Sequence, residues 1–167
     1  MKWLLIALAV LAGLVLLMAL VGLMLPKGHV ATRRATLKRP PEEVWAVLTD
    51  VERFPEWRPD LEKVERLSET RWVETGSYGR MELERVEADP PRRLVGRIAP
   101  GLAFGGNWTY ELARDGEGTT LSITENGEVY NPIFRFLSRF VFGHTATLEQ
   151  YLKALGRKFG EEVTPRG

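Results

Sequence analysis

Hydrophobic and polar positions are arranged along this chain in three distinct ways. From Trp3 to Leu25 they do not alternate at all: no charged or strongly polar side chain occurs, and ten of these residues are leucine. A helix of that length rises roughly 34 Å, enough to cross a hydrocarbon core of ~30 Å. The pattern predicts a single membrane-spanning helix, with residues 1–27 forming the span and a short linker. A cleaved secretory signal has an apolar stretch of only ~7–15 residues and a small-x-small cleavage site. Val21-Gly22-Leu23-Met24-Leu25 offers no such site, so a retained helix is expected.

Beyond Gly28 the pattern is that of a folded domain over residues 28–160, with 161–167 as a tail. Thr32 to Arg39 alternates as a first strand. Pro40-Pro41-Glu42-Glu43-Val44-Trp45 opens a short helix, because proline is tolerated in a first turn and early acids suit the positive helix end. A second short turn over Val51 to Phe54 is ended by Pro55-Glu56-Trp57-Arg58-Pro59. Short segments separated by turn residues then predict an antiparallel meander. Its strands are Leu61–Leu67, Arg71–Tyr78, Arg80–Ala88, Arg92–Ile98, Gly106–Ala113 and Thr119–Val129. Trp108, Tyr110 and Leu112 share one face, and Leu121 and Ile123 oppose Thr120, Ser122 and Thr124. One face of the sheet is therefore buried and the other wet.

The third pattern is helical. Asn131 is a good N-cap and Pro132 suits the first helical position. Leu137, Val141, His144, Leu148, Tyr151 and Leu155 follow at steps of four and three, which predicts one long C-terminal helix interrupted by Gly143. The stretch Ile133 to Phe142 is apolar almost all round. Phe136, Phe140 and Phe142 cannot all face one sheet, so some are expected to rest on a bilayer or a partner.

Charge and composition narrow the function classes. Lys plus Arg is 23 and Asp plus Glu is 22; removing Lys2 and Lys27 turns the formal charge of +1 into −1. A near-neutral domain matches a nucleic-acid backbone poorly. There is no cysteine, which excludes disulfides, thiolate metal sites and cysteine nucleophiles. The only histidines are His29 and His144, and Asp115-Gly116-Glu117-Gly118 reads as a turn, so neither a metal nor a cofactor is expected. Only Lys2 precedes the apolar helix, whereas Lys27, Arg33, Arg34, Lys38 and Arg39 follow it. Such asymmetry predicts a cytoplasmic C-terminal domain on a single-pass cell-membrane anchor. The same basic residues either touch anionic headgroups or form the solvent face of the first strand.

The element order, with Arg39-Pro-Pro-Glu-Glu-Val-Trp-Ala-Val-Leu-Thr-Asp-Val-Glu-Arg-Phe-Pro-Glu-Trp57, Gly118-Thr-Thr-Leu121 and Asn131-Pro-Ile-Phe-Arg-Phe136, resembles the START-like (SRPBCC, Bet v 1-like) superfamily, and most of all its polyketide cyclase/dehydrase-like branch. The resemblance covers about Thr32 to Phe159. It implies an α+β helix-grip fold: a curved antiparallel sheet wrapped on a long C-terminal helix, with a cavity between them. Family members bind lipids, sterols, polyketides or quinones, and some catalyse cyclisation or dehydration. The membrane helix is a departure from the enzymatic members.

Given that fold, the cavity is expected to be lined by Trp57, Trp72, Trp108, Tyr110 and Phe134, together with Leu137, Val141, His144, Leu148 and Tyr151. Such an apolar wall with a few polar groups suits a hydrophobic small molecule. The candidates for acid/base chemistry are His144, Tyr110, Tyr151 and Glu125. His144 and the two tyrosines are equally ordinary as core residues. Glu125 shares parity with Leu121 and Ile123, but the twist of a strand end is expected to turn it to solvent. No Gly-x-Ser-x-Gly elbow is present, and Gly101-Leu-Ala-Phe-Gly-Gly106 lacks the Lys-Ser/Thr of a phosphate loop, reading instead as a flexible loop beside the cavity mouth. Three functions remain. The first is membrane-anchored binding of an apolar or amphipathic molecule (lipid, quinone or polyketide-like) without covalent chemistry. The second is a cyclase- or dehydrase-like enzyme using His144 and a tyrosine, and the third is a protein-interaction module with a filled core.

Overall fold

A computed structural model describes residues 1–167. Helix α1 (Lys2–Met24) is followed almost at once by strand β1 (Gly28–Leu37). Helix α2 (Pro41–Thr49) and a 3₁₀ turn (Val51–Glu56) lead to β2 (Leu61–Arg66), β3 (Arg71–Gly76), β4 (Gly79–Asp89), β5 (Arg93–Ile98), β6 (Phe104–Asp115) and β7 (Gly118–Val129). Helix α3 (Pro132–Leu137), a wider π-type turn (Ser138–Phe142) and helix α4 (Ala146–Lys158) complete the chain.

The seven strands form one sheet in the order β1-β7-β6-β5-β4-β3-β2, and every neighbouring pair is antiparallel. Register shifts between Leu61 and Lys63 and between Arg85 and Glu87 interrupt the ladders. Such irregularities bend a strand and increase its twist, which curves the sheet towards its buried face. On that face Leu112 lies opposite Leu121, and Tyr110 opposite Ile123, as the alternation of apolar residues requires. Leu148, Leu152 and Leu155 of α4 are buried against them. This is the helix-grip arrangement, with α2 and the 3₁₀ turn adding Val44, Leu48 and Phe54 to the same core.

The C-terminal helix is not continuous. Gly143 has φ +73°, a left-handed conformation that favours glycine, and the preceding five residues are wound as a π turn. The spacing of apolar residues continues across this break, but the helical phase does not. Of the expected stripe, His144, Leu148, Tyr151 and Leu155 face the sheet. Phe134 and Val141, expected on the cavity wall, are instead 52% and 62% exposed.

Two features tie the ends of the chain to the domain. Arg33, expected as solvent face or headgroup contact, lies on the same strand face as Ala31 and Ala35, and its Nε donates to Glu149 of α4 at 2.9 Å. The tail after Phe159 is held as well: the backbones of Arg34 and Arg166 exchange two hydrogen bonds of 2.9 Å.

Candidate ligand-binding cavity

Sheet and α4 do not close on each other completely. Between them lies a cavity of about 330 Å³, at the lower end of the ~300–1,000 Å³ typical of small-molecule sites. Trp72, Met81, Leu83, Leu94 and Ile98 supply its apolar wall from the central strands, and Leu148 and Tyr151 close it from α4. The lining residues that reach the surface are Tyr78 at the β3–β4 turn, Glu128 near the end of β7, and Gly143, Thr147 and Gln150 near the helix break. They mark the mouth.

Of the residues expected there from the sequence, Trp72, Trp108, Tyr110, His144, Leu148 and Tyr151 line the cavity. Trp57 is buried behind the wall, edge-on to Tyr151 at 5.3 Å between ring centres. Leu137 is half-buried away from it, and Phe134 and Val141 face outward. The glycine-rich segment is less detached than expected, since β6 begins at Phe104 and Phe104 lines the cavity. Gly106 carries a φ of +139°, and a side chain there would run into the Asn126 carbonyl.

Glu125 is the clearest reversal. It points inward, because the β6–β7 register sets it directly opposite Trp108, whose indole Nε1 donates to it at 3.1 Å. Its other oxygen is 3.2 Å from His29 Nε2, with both side chains about 15% exposed. The His29 ring in turn stacks on His144, at 3.9 Å between centres and 21° between planes. The strand-end twist that would have turned Glu125 to solvent is overcome by these two partners. Burial, and then the charge of His29, holds the His144 imidazole below the usual histidine range.

A second polar cluster, centred on Arg58, joins residues that sequence reasoning missed. Arg58 donates from Nη2 to Asp60 at 2.6 Å and from Nη1 to Glu74 at 3.1 Å. Glu74 is only 2% exposed and also accepts from Trp72 Nε1 at 3.0 Å. The Arg58 guanidinium lies over the Tyr151 ring at 5.3 Å. Burial works against its charge, but the Glu74 carboxylate and the bond to Asp60 outweigh that cost and raise its pKa. Glu74 shares strand parity with the buried Trp72, so an acid at a core-facing position was the signal available.

Tyr110 and Tyr151 complete the polar set, with ring centres 5.7 Å apart. Burial pushes the Tyr110 hydroxyl up to about 12. Burial, and then the neighbouring Tyr110, raises Tyr151 well above its ordinary value. Both therefore remain protonated donors at neutral pH. The cavity walls contain no group of three or more His, Cys, Asp or Glu placed to hold a metal ion. The arrangement offers an apolar slot with tyrosine and arginine donors and with the carboxylates of Asp60, Glu74 and Glu125 in its lining.

A family model described as polyketide cyclase/dehydrase and lipid transport matches residues 28–160. No curated protein matches the sequence. Among solved structures, a START superfamily protein from Mycobacterium smegmatis is similar with a TM-score of 0.66 at 16% identity, covering 78% of this chain and 96% of that one. A conserved protein from Geobacillus kaustophilus gives 0.65 at 18% identity, covering 82% and 100%. A truncated norcoclaurine synthase from Thalictrum flavum gives 0.65 at 12% identity, covering 79% and 93%. At these identities the likeness is one of fold alone.

Proposed function

This chain belongs to the polyketide cyclase/dehydrase and lipid transport family of the START-like superfamily, and on that premise we propose that it binds an apolar or amphipathic small molecule while anchored to a membrane by Lys2–Met24. The observation that carries the reading is the cavity itself. A filled interface between sheet and helix would suit a protein-interaction module, whereas this one keeps about 330 Å³ open between aromatic walls.

A lipid, quinone or polyketide-like ligand would place its apolar body against Trp72, Leu83 and Leu94. Its carbonyl or hydroxyl end would meet the donors of Tyr110, Tyr151 and Arg58. Binding would draw on the transfer of apolar area out of water, worth ~25 cal/mol per Å². Anchoring draws support from α1, a 23-residue apolar helix whose first two-thirds is exposed. The excess of Lys and Arg after that helix favours a cytoplasmic domain.

An acid/base reaction using His144 and a tyrosine has less support. Both hydroxyls are held protonated far above neutrality, and His144 stacks on His29 without a hydrogen bond to either tyrosine. Titrating the full-length protein in lipid nanodiscs with a fluorescent fatty acid and a short-chain quinone tests the binding reading. A single saturable site per chain, lost in Thr147→Trp at the mouth, is expected. Uptake that rises linearly with bilayer area and is unchanged by Thr147→Trp contradicts it.

A further inference from the structure

We infer that α3 and the π turn after it form a second membrane contact, a wedge seated in the headgroup and upper acyl region beside the anchor, so that the cavity mouth opens at the lipid surface. The inference rests on the reading that Lys2–Met24 spans a bilayer.

Helix α1 is covered by the domain only near its C-terminal end. Its residues are bare through Leu17 and covered only at Met18, Ala19, Val21, Gly22 and, just past the helix, Leu25. That face packs on α3, so closely that a side chain at Gly22 would run into the Pro132 carbonyl. Arg135, 7% exposed, donates from Nη1 to the Leu25 carbonyl at 3.0 Å and from Nη2 to the Tyr130 carbonyl at 3.1 Å. Its charge sits at the negative end of α1. The two helices are thus fixed to each other by a backbone-close contact and a buried arginine.

Depth follows from length. The 23 residues of α1 rise roughly 34 Å, against a hydrocarbon core of ~30 Å. Its last two turns therefore lie within about 10 Å of the core's edge, and α3 packed against them lies there too. On this segment Phe140, Val141 and Phe142 are 61%, 62% and 64% exposed, and Phe134 of α3 is 52% exposed. Lys27, just past α1, and Arg139, within the π turn, are exposed cations on the same two packed segments. Such cations reach up to phosphates while an apolar face is buried in the boundary. The same short segment supplies Ser138 and Gly143 to the cavity lining. An apolar ligand would then pass from bilayer to cavity without crossing bulk water.

Because the chain has no cysteine, single cysteines can be labelled cleanly in the full-length protein. Environment-sensitive labels at Phe140→Cys and, independently, Val141→Cys would be compared with Leu11→Cys on the anchor and Val86→Cys on the sheet. The bilayer would be a zwitterionic and anionic phospholipid mixture carrying quenchers at two acyl depths. The Leu11 label should lose most emission to the deep quencher, the Phe140 and Val141 labels to the shallow one, and the Val86 label only to aqueous iodide. Iodide quenching at Phe140 and Val141 with lipid quenching at Leu11 overturns the wedge and leaves the anchor. Shielding of Phe140 and Val141 from both quenchers means that protein, such as a second copy of the chain, covers the patch, and also overturns it. A Leu11 label untouched by lipid quenchers removes the anchor reading and the wedge together.

Discussion

The His29 imidazole occupies the space over Gly127 that any side chain there would fill. The two residues face each other across the β1–β7 ladder. The missing side chain is what lets His29 lean over the strand to reach Glu125 and stack on His144. Gly127→Ala should displace the ring, break the 3.2 Å bond to Glu125 and cost about 1–3 kcal/mol, the range for a buried group that loses a hydrogen-bond partner. Nitrogen chemical shifts of the two imidazoles would report it. An unchanged His29 signal would show that the glycine is not what admits the ring.

His144 should make stability depend on mildly acidic pH. Its folded pKa is held down, by burial first and by His29 second, with Arg139 adding to the effect and Glu125 opposing it. The unfolded chain therefore takes up this proton more readily than the folded one. Stability from the neutral ring is complete above the ordinary histidine value of about 6.5 and is lost as pH falls from there through the lower folded value. Thermal unfolding should weaken more between about pH 7.5 and pH 5 in the natural chain than in His144→Gln. Parallel pH profiles for the two would count against this role.

Much of this fold was legible in the chain, for reasons that particular residues make plain. Trp108, Tyr110 and Leu112 alternate against Leu121 and Ile123, so the buried face of β6 and β7 follows from period two. Asn131 caps α3 as its type suggests, accepting from Ile133 N at 2.9 Å. The break at Gly143 was only half visible: a glycine announces lost helix stability, but steps of four and three ran on through it and masked the change of phase. Val141 was placed inside for that reason. Arg58 and Glu74 were missed because their pairing is tertiary, between the segment after the 3₁₀ turn and the inner strand β3. His29 depends likewise on strand register and on the bare backbone at Gly127.

Glu74 should be the costliest polar residue to lose. It accepts from both Trp72 and Arg58, so Glu74→Ala leaves a buried indole and a buried guanidinium short of a partner. Breaking a buried pair costs about 3–5 kcal/mol. Glu74→Gln keeps an acceptor for Trp72, and Arg58 keeps Asp60, so it should cost clearly less. Denaturant unfolding of both variants decides the matter. Equal and small losses would mean that the cluster is open to water.

Tyr110 should discriminate between ligands. Its hydroxyl is a protonated donor at neutral pH, as a tyrosine ordinarily is, and burial, which pushes it up to about 12, keeps it one in alkaline solution as well. Tyr110→Phe should weaken a ligand that carries a carbonyl or hydroxyl by up to about tenfold, the value of one hydrogen bond, and leave a pure hydrocarbon unaffected. Equal weakening of both would assign the residue to packing.

The most direct test of the binding account is mass spectrometry of organic extracts from the full-length protein and from Thr147→Trp, purified identically. An exposed residue at the mouth is replaced there, so the core should remain intact while access to the cavity is lost. A stoichiometric lipid-, quinone- or polyketide-like species is expected with the natural chain and should be strongly depleted in the variant. Identical extracts from the two proteins, together with no saturable uptake of fluorescent fatty acid, would contradict it.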